Sequence, residues 1–307
     1  LFQTDEMTDD LKHYSPVAQK NGARYFSGMN TILKKEKLSE TVWRYRVRSP
    51  RIAKKRLAGQ FVIIRPTSES ERIPLTIANA DAAHGWIEII FQVVGKSTML
   101  LADLKEGEKV SDLAGPLGKP THIENFGRCV CIGGGVGIAP LFPIICALYK
   151  AGNDVTAILG ARNSGLLMLE EEIKLNANRI FIATDDGSKG TKGFVSDVFK
   201  NCMAQGERFD IAVVIGPAIM MKVTTKATLD AGIKTLVSLN PIMIDGTGMC
   251  GGCRVSVGGE TKFACVDGPE FDAAKIDWDE MLKRLGSYKS FETYAREQHA
   301  CKVGAAS

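Results

Sequence analysis

The 307-residue chain predicts an antiparallel β-barrel, then an α/β doubly wound parallel sheet, then a C-terminal cysteine loop and hairpin. Three observations predict it. Residues 29–126 hold short β-rich runs separated by Gly, Pro and charged turns. From residue 127 the period changes, and apolar strands alternate with helical segments as in a doubly wound fold. After the last of these strands, residues 241–272 carry Cys250, Cys253 and Cys265 among glycines.

Taken in order, residues 1–28 are polar and weakly patterned and read as a tail or extension, with Met29 as a candidate start. "TVWRYRVRS", "QFVIIRP", "WIEIIFQVV" and "EKVSDLAGP" are the barrel strands, interrupted by the short helical "STMLLADLK". The basic run "RVRSPRIAKKR" reads as the solvated face of a hairpin rather than a nucleic-acid patch. "RCVCIGGG" opens the second domain, residues 127–240. It is followed by the helical "APLFPIICALYKAG" and then by "DVTAILGAR", "RIFIATDD", "FDIAVVIGP" and "KTLVSLN" as strands. Between them "GLLMLEEEIKLNA", "GFVSDVFKNCMAQG" and "AIMMKVTTKATLDAG" read as helices. Residues 273–307 form a helical C-terminal segment and tail.

Composition narrows the function. A net charge of +4, spread along the chain, gives no nucleic-acid footprint, and no apolar run is long enough to span a membrane. Eight cysteines, two of them in one apolar strand, do not suit a disulfide scaffold; they suit a reducing, cytoplasmic setting with metal chemistry at the clustered site. Only four histidines are present, all in polar or terminal settings, so no nucleophile–histidine site is expected and no catalytic side chain is assigned. Hydride and electron transfer need none, because cofactors carry that chemistry.

The candidate sites follow from the motifs. Gly133, Gly134, Gly135, Val136 and Gly137 lie where a first parallel strand feeds a helix, the position at which backbone approaches a dinucleotide pyrophosphate. Asp185 and Asp186 end another strand at the same edge. Arg162 could face a 2′-phosphate, and no acidic residue ends its strand, so NAD and NADP both remain open. In the barrel, "ERIPLTIA" offers a cation (Arg72) and a small hydroxyl (Thr76), and "VGKST" offers amides and hydroxyls opening a helix. The spacing D-x4-C-x2-C-x11-C departs from the plant-type [2Fe–2S] pattern only in placing Asp245 where the first cysteine stands. A zinc site of three thiolates and one carboxylate is the chemical alternative.

Together, "RIPLTIA", "VGKST", "GPLGKP", "GGGVGIAPL" and the cysteine loop resemble the ferredoxin–NADP reductase superfamily. Within it they resemble the iron–sulfur flavoprotein branch that includes the electron-transfer subunit of dihydroorotate dehydrogenase. An aspartate in the first ligand position is similar to the small-subunit type of electron-bifurcating transhydrogenases. The resemblance implies FAD, a [2Fe–2S] cluster and NAD(H), with NADP(H) not excluded. Pro74, Leu75 and Thr76 would then face the flavin, and Gly95, Lys96, Ser97 and Thr98 would hold its phosphates. Gly133 to Gly137 would approach the nicotinamide cofactor, and Asp245, Cys250, Cys253 and Cys265 would ligate the cluster. It further implies a larger flavin and iron–sulfur partner subunit and, through it, ferredoxin. Two departures stand out. The superfamily's phosphate arginine opens an R-x-x-[ST] run, but Ile73 is three before Thr76 and Arg72 is one position off. Its Cys-Gly-Pro near the nicotinamide is here Ile215-Gly216-Pro217.

Overall fold

The structure, a computed structural model, describes residues 28–304. The expected tail therefore lies almost wholly outside the described residues.

The first domain contains β1 (Ile32–Lys37), β2 (Val42–Arg48), α1 (Pro50–Lys55), β3 (Phe61–Arg65), β4 (Ile73–Asp81), β5 (Trp86–Gln92), α2 (Lys96–Asp103) and β6 (Asp112–Leu117). Its strands pair antiparallel in the order β1-β2-β5-β4-β3-β6. The two ends meet: Ile32 N donates to Glu108 O at 2.8 Å and Val110 N to Asn30 O at 3.0 Å. This closes the barrel and removes its open edges. Alternate residues of the strands fill it, among them Tyr45, Val47, Val62, Ile64, Ile77, Ile87, Ile89 and Phe91. The Tyr45 hydroxyl donates to Leu101 O at 2.9 Å, tying the end of α2 into this core.

One expectation is corrected here. The basic run is a hairpin face only in its first part, where Arg46 and Arg48 belong to β2 paired with β1; Pro50 at the first helical position then turns the chain into α1. Ile52 and Ala53 of that helix are buried while Lys54 and Lys55 point outward.

The second domain follows the alternation read from the sequence. It comprises β7 (Arg128–Gly134), α3 (Ile138–Lys150), β8 (Asp154–Ala161), α4 (Glu170–Lys174), β9 (Arg179–Thr184), β10 (Thr191–Lys192), α5 (Val195–Ala204), β11 (Ile211–Ile215), α6 (Ala218–Asp230) and β12 (Lys234–Ser238). The strand order is β10-β9-β8-β7-β11-β12-β15, parallel except for the last, β15 (Glu270–Asp272), which runs antiparallel on β12. From β7 the chain steps one way to β8 and β9, then returns to β11 and β12 on the other side. The reversal leaves a crevice at the carboxyl end of β7, where ligands bind in such sheets. The helix expected over "GLLMLEEEIKLNA" is confined to Glu170–Lys174. Leu169 is left-handed (φ 59°), and burying Met168 and Leu169 in the core holds the preceding segment in an irregular path.

Between β12 and β15 lie the cysteine loop and a hairpin of β13 (Arg254–Val257) and β14 (Glu260–Phe263), turned at Gly258–Gly259. Two C-terminal helices, α7 (Trp278–Gly286) and α8 (Lys289–Gly304), complete the described chain. Asp277 caps α7 by accepting from Glu280 N at 2.9 Å, and Met281 of α7 is buried in the same core as Val255 of the hairpin. No helix among the described residues is long and apolar enough to cross a membrane.

Candidate functional site

The cysteine loop begins at the end of β12 and folds back onto the barrel. Gly246 has φ 76°, and a side-chain carbon there would meet Leu117 of β6 at 2.6 Å and Ile63 of β3 at 2.8 Å. A residue with a Cβ could neither adopt that angle cheaply nor fit against those side chains. The loop is thus held on β3 and β6. Asp245 organises it: one carboxylate oxygen accepts from Thr247 N and the other from Cys250 N, both at 2.8 Å. These amides, Thr247's foremost, hold its carboxyl below the usual range.

The candidate ligands fall into two pairs. Cys253 and Cys265, at the two ends of the hairpin, are buried with their Sγ atoms 3.2 Å apart. Cys250 is exposed and shares its loop turn with Asp245. Two thiolates on one tetrahedral metal with ~2.3 Å bonds lie about 3.8 Å apart, so Cys253 and Cys265 need to part only slightly. Backbone donors surround the sulfurs: Gly252 N reaches Cys250 Sγ and Cys265 N reaches Cys253 Sγ, each at 3.4 Å. Burial, then the Cys253 side chain, pushes the Cys265 thiol up to about 12. Such thiols surrender their protons to a metal. Among the described residues no three His, Cys, Asp or Glu side chains converge on one point. A two-iron cluster accepts two donors at each end, the division these two pairs present.

The flavin candidates lie on the neighbouring strand. In the β3–β4 ladder Pro74 is opposite Ile63, Leu75 opposite Val62 and Thr76 opposite Phe61. Pro74, Leu75 and Thr76 are all half-buried, but they alternate: Pro74 and Thr76 share the face of Ile63 and Phe61, whereas Leu75 packs with Val62 against the barrel core. The register therefore sets them one strand from the residue against which the cysteine loop packs. The structure also joins two motifs that are distant in sequence, since Glu71 N donates to Ser97 Oγ at 3.2 Å. The Arg72 guanidinium contacts Asp112 at 2.7 Å, yet its Nε is buried without a hydrogen-bond partner. An orphaned cationic donor beside the start of α2 fits a phosphate oxygen. Within "VGKST" the roles divide. Thr98 Oγ1 caps the helix, accepting from Val94 N and Gly95 N and donating to Gly95 O. The first-turn amides and exposed Lys96 are left toward solvent.

At the end of β7 the glycines also divide. A side-chain carbon on Gly137 would come within 2.6 Å of Gly216 Cα, so this glycine serves strand–helix packing. Gly133 is crowded too, by Leu141 at 2.9 Å, whereas a carbon at Gly134 would meet only the Met220 side chain at 3.2 Å. Gly135 is different: φ is 56° and nothing lies within 4 Å of the added carbon. Gly135, exposed Val136 and the start of α3 form the open part of the turn, where a helix N-terminus can receive an anion. Asp185 and Asp186 lie at the same sheet edge, both exposed, and Asp186 accepts from Ser188 N at 2.9 Å.

Sequence reasoning missed Ile63, Leu117, Thr121 and Glu270. The first two read as ordinary strand residues, and their seat under the cysteine loop is a tertiary fact. Thr121 and Glu270 are 149 positions apart, and no local pattern announces their hydrogen bond.

Comparison with known proteins agrees with this geometry. Residues 240–277 match the iron–sulfur cluster binding domain of dihydroorotate dehydrogenase B, and residues 131–226 match the oxidoreductase NAD-binding domain. The chain is 47% identical over 278 residues, 91% of its length and 98% of the relative's, to a dihydroorotate dehydrogenase B (NAD(+)) electron transfer subunit homolog of Thermotoga maritima. It is 33% identical over 239 residues, covering 75% of this chain and 90% of the relative, to the corresponding electron transfer subunit of Desulforamulus reducens. Among solved structures, a chain of an NADH-dependent reduced ferredoxin-NADP oxidoreductase superposes with a TM-score of 0.85 at 46% identity. That match covers 89% of this chain and 98% of the other. The chain belongs to the family of dihydroorotate dehydrogenase B electron-transfer subunits and their homologues, oxidoreductase components with the ferredoxin–NADP reductase fold.

Proposed function

We propose that this protein is the electron-transfer subunit of a flavin-based electron-bifurcating transhydrogenase of the NADH-dependent reduced ferredoxin:NADP oxidoreductase type. Its cofactors are FAD, a [2Fe–2S] cluster and NAD(H). When bound, the flavin exchanges a hydride with the nicotinamide and supplies single electrons to the cluster.

The chain's own residues do the positioning. Pro74 and Thr76 form the half-buried surface for the flavin ring, Leu75 supports that strand from the barrel core, and Arg72 with the first turn of α2 receives the phosphates. Gly135, Val136 and the α3 N-terminus receive the dinucleotide pyrophosphate, with Asp185 and Asp186 bordering it. Cys253 and Cys265 hold one end of the cluster, and Asp245 and Cys250 the other. The single observation that carries the reading is the register of Pro74 opposite Ile63, the residue on which the cysteine loop rests. It sets the flavin surface and the cluster loop on adjacent strands of one wall, which suits a relay. Around exposed Cys250, the side chains of Met249, Ile244 and Val266 are exposed too, an apolar rim that fits a larger protein partner rather than water. That partner would carry the bifurcating flavin and deliver electrons to ferredoxin. Cluster-forming thiols suit the reducing cytoplasm.

The experiment is to purify the intact complex through a tag on this chain and assay it anaerobically. Oxidation of NADPH coupled to reduction of both NAD+ and ferredoxin is the expected result. Oxidation of dihydroorotate with NAD+, or full turnover by the isolated chain, would replace this reading with the corresponding alternative.

A further inference from the structure

Two acidic side chains stand in opposite surroundings, Glu88 buried in the barrel and Glu270 half-buried at the sheet edge. Glu88 lies between two guanidiniums, Arg44 at 3.6 Å and Arg46 at 3.2 Å. Glu270 forms no ion pair among the described residues; its Oε1 accepts from the Thr121 hydroxyl at 2.6 Å. Three segments meet around it. From the barrel, a side-chain carbon on Gly59 would lie 2.8 Å from Glu270 Oε1, so only glycine leaves room there. From the link between β6 and β7, Thr121 N donates to Ala58 O at 2.9 Å and Lys119 N to Gly268 O at 2.7 Å. From the sheet edge, Glu270 pairs with Ser238 of β12, and Leu239 N donates to Pro269 O at 2.9 Å. Residues 268–270 follow the last cysteine of the hairpin, and a carbon added at Gly118 would touch both Pro269 and Phe61 of β3.

We propose that Glu270 is a proton-operated latch, fastening the segment after the cluster hairpin to the junction of barrel and nucleotide-binding sheet. Protonated, the half-buried carboxyl fits against Gly59 and Thr121 without an unpaired charge. Ionised, it has no cation to meet and must take up water, which loosens residues 268–270 from Gly59 and Thr121. Burial raises this carboxyl to about 7, and the Thr121 hydrogen bond opposes the rise more weakly. The other titratable groups nearby do not supply a counter-charge. Cys131 is a fully buried thiol held protonated, Asp267 lies 4.0 Å from Lys119, Asp272 accepts from Ala274 N, and exposed His122 pairs with Glu124 at 3.1 Å.

The sign follows from linkage. The latched carboxyl binds its proton more tightly than a freed one, whose ordinary value is 4.5. The latch is therefore complete below that value and is lost as pH rises through about 7. Between about pH 6 and about pH 8 the opened population rises about tenfold.

The test is amide hydrogen exchange on the anaerobic, cofactor-loaded protein at those two pH values, corrected for intrinsic exchange rates. Peptides covering 118–122 and 268–271 are read in wild type, Glu270→Gln and His122→Gln. The expected result is about a tenfold pH-dependent loss of protection in wild type and His122→Gln. Glu270→Gln should stay protected at both values. Equal pH dependence in Glu270→Gln, or none in wild type, would overturn the proposal. Should Glu270→Gln fold poorly, Thr121→Val provides a second reading: losing the hydrogen bond should move the transition to higher pH, and no movement counts against the latch. Flavin and iron are assayed on the same samples. Their absence from wild type would fail the functional reading and leave the latch still measurable.

Discussion

Asp245 concentrates the chemistry of the site in one side chain. It shapes the cysteine loop through two amides and stands where the plant-type pattern has a thiolate. Each carboxylate oxygen keeps a further lone pair, so loop shaping and iron ligation are compatible. Asp245→Ala should leave fewer than two irons per chain in anaerobically purified protein, measured by metal analysis with EPR. Asp245→Cys should keep both irons and shift the cluster's midpoint potential. Two irons with an unchanged signal in Asp245→Ala would restrict this residue to shaping the loop. The glycines of the β7 turn make a second residue-scale prediction. Gly137→Ala has no room against Gly216 and should fail to fold or melt far earlier. Gly135→Ala meets open space and only the left-handed penalty of roughly 1–2 kcal/mol. It should fold and bind NAD(H) more weakly, by titration calorimetry. Equal effects on folding would refute the division of roles.

At the scale of elements, the two domains are joined by an ion network with unequal members. Arg44 of β2 is mostly buried, donates to Glu172 of α4 at 2.7 Å and also faces Glu88. Glu172 is half-exposed, so Glu172→Gln should cost under about 1 kcal/mol in urea denaturation. Arg44→Met strands buried Glu88 with Arg46 alone and should cost about 3 kcal/mol. Comparable losses would show that the bridge between domains outweighs the burial of Glu88. The same scale shows what was legible in the sequence. The parallel strands are apolar runs bounded by glycine and polar turns, and a buried strand writes itself that way. The helix over "GLLMLEEEIKLNA" misled because its apolar half is drawn into the core as a loop, a tertiary effect on a segment with good helical composition. The cysteine spacing was legible because metal ligation constrains sequence distance. The Glu71–Ser97 and Thr121–Glu270 bonds were not, because they depend on barrel closure and on a strand returning to the sheet edge.

Across the whole molecule, the three proposed binding surfaces lie on connected elements. The β7 turn opens at the carboxyl edge of the sheet, β4 carries the proposed flavin surface, and β3 and β6 support the cysteine loop. One core joins them: Phe61 and Ile63 of the barrel pack with Val130 and Ile132 of β7 and with Cys253 and Cys265. On the proposed reading, these surfaces would hold a two-electron donor, a converter and a one-electron acceptor in sequence, without a side-chain acid or base in the transfer itself. The most direct measurement is an anaerobic NADH titration of the purified chain, followed by absorption and EPR, with flavin, iron, sulfide and zinc assayed on the same sample. The expected result is about one FAD, two irons and two sulfides per chain, flavin bleaching by NADH, and an S = 1/2 cluster signal appearing with it. Zinc without flavin, or a flavin that bleaches while the cluster stays silent, would contradict it.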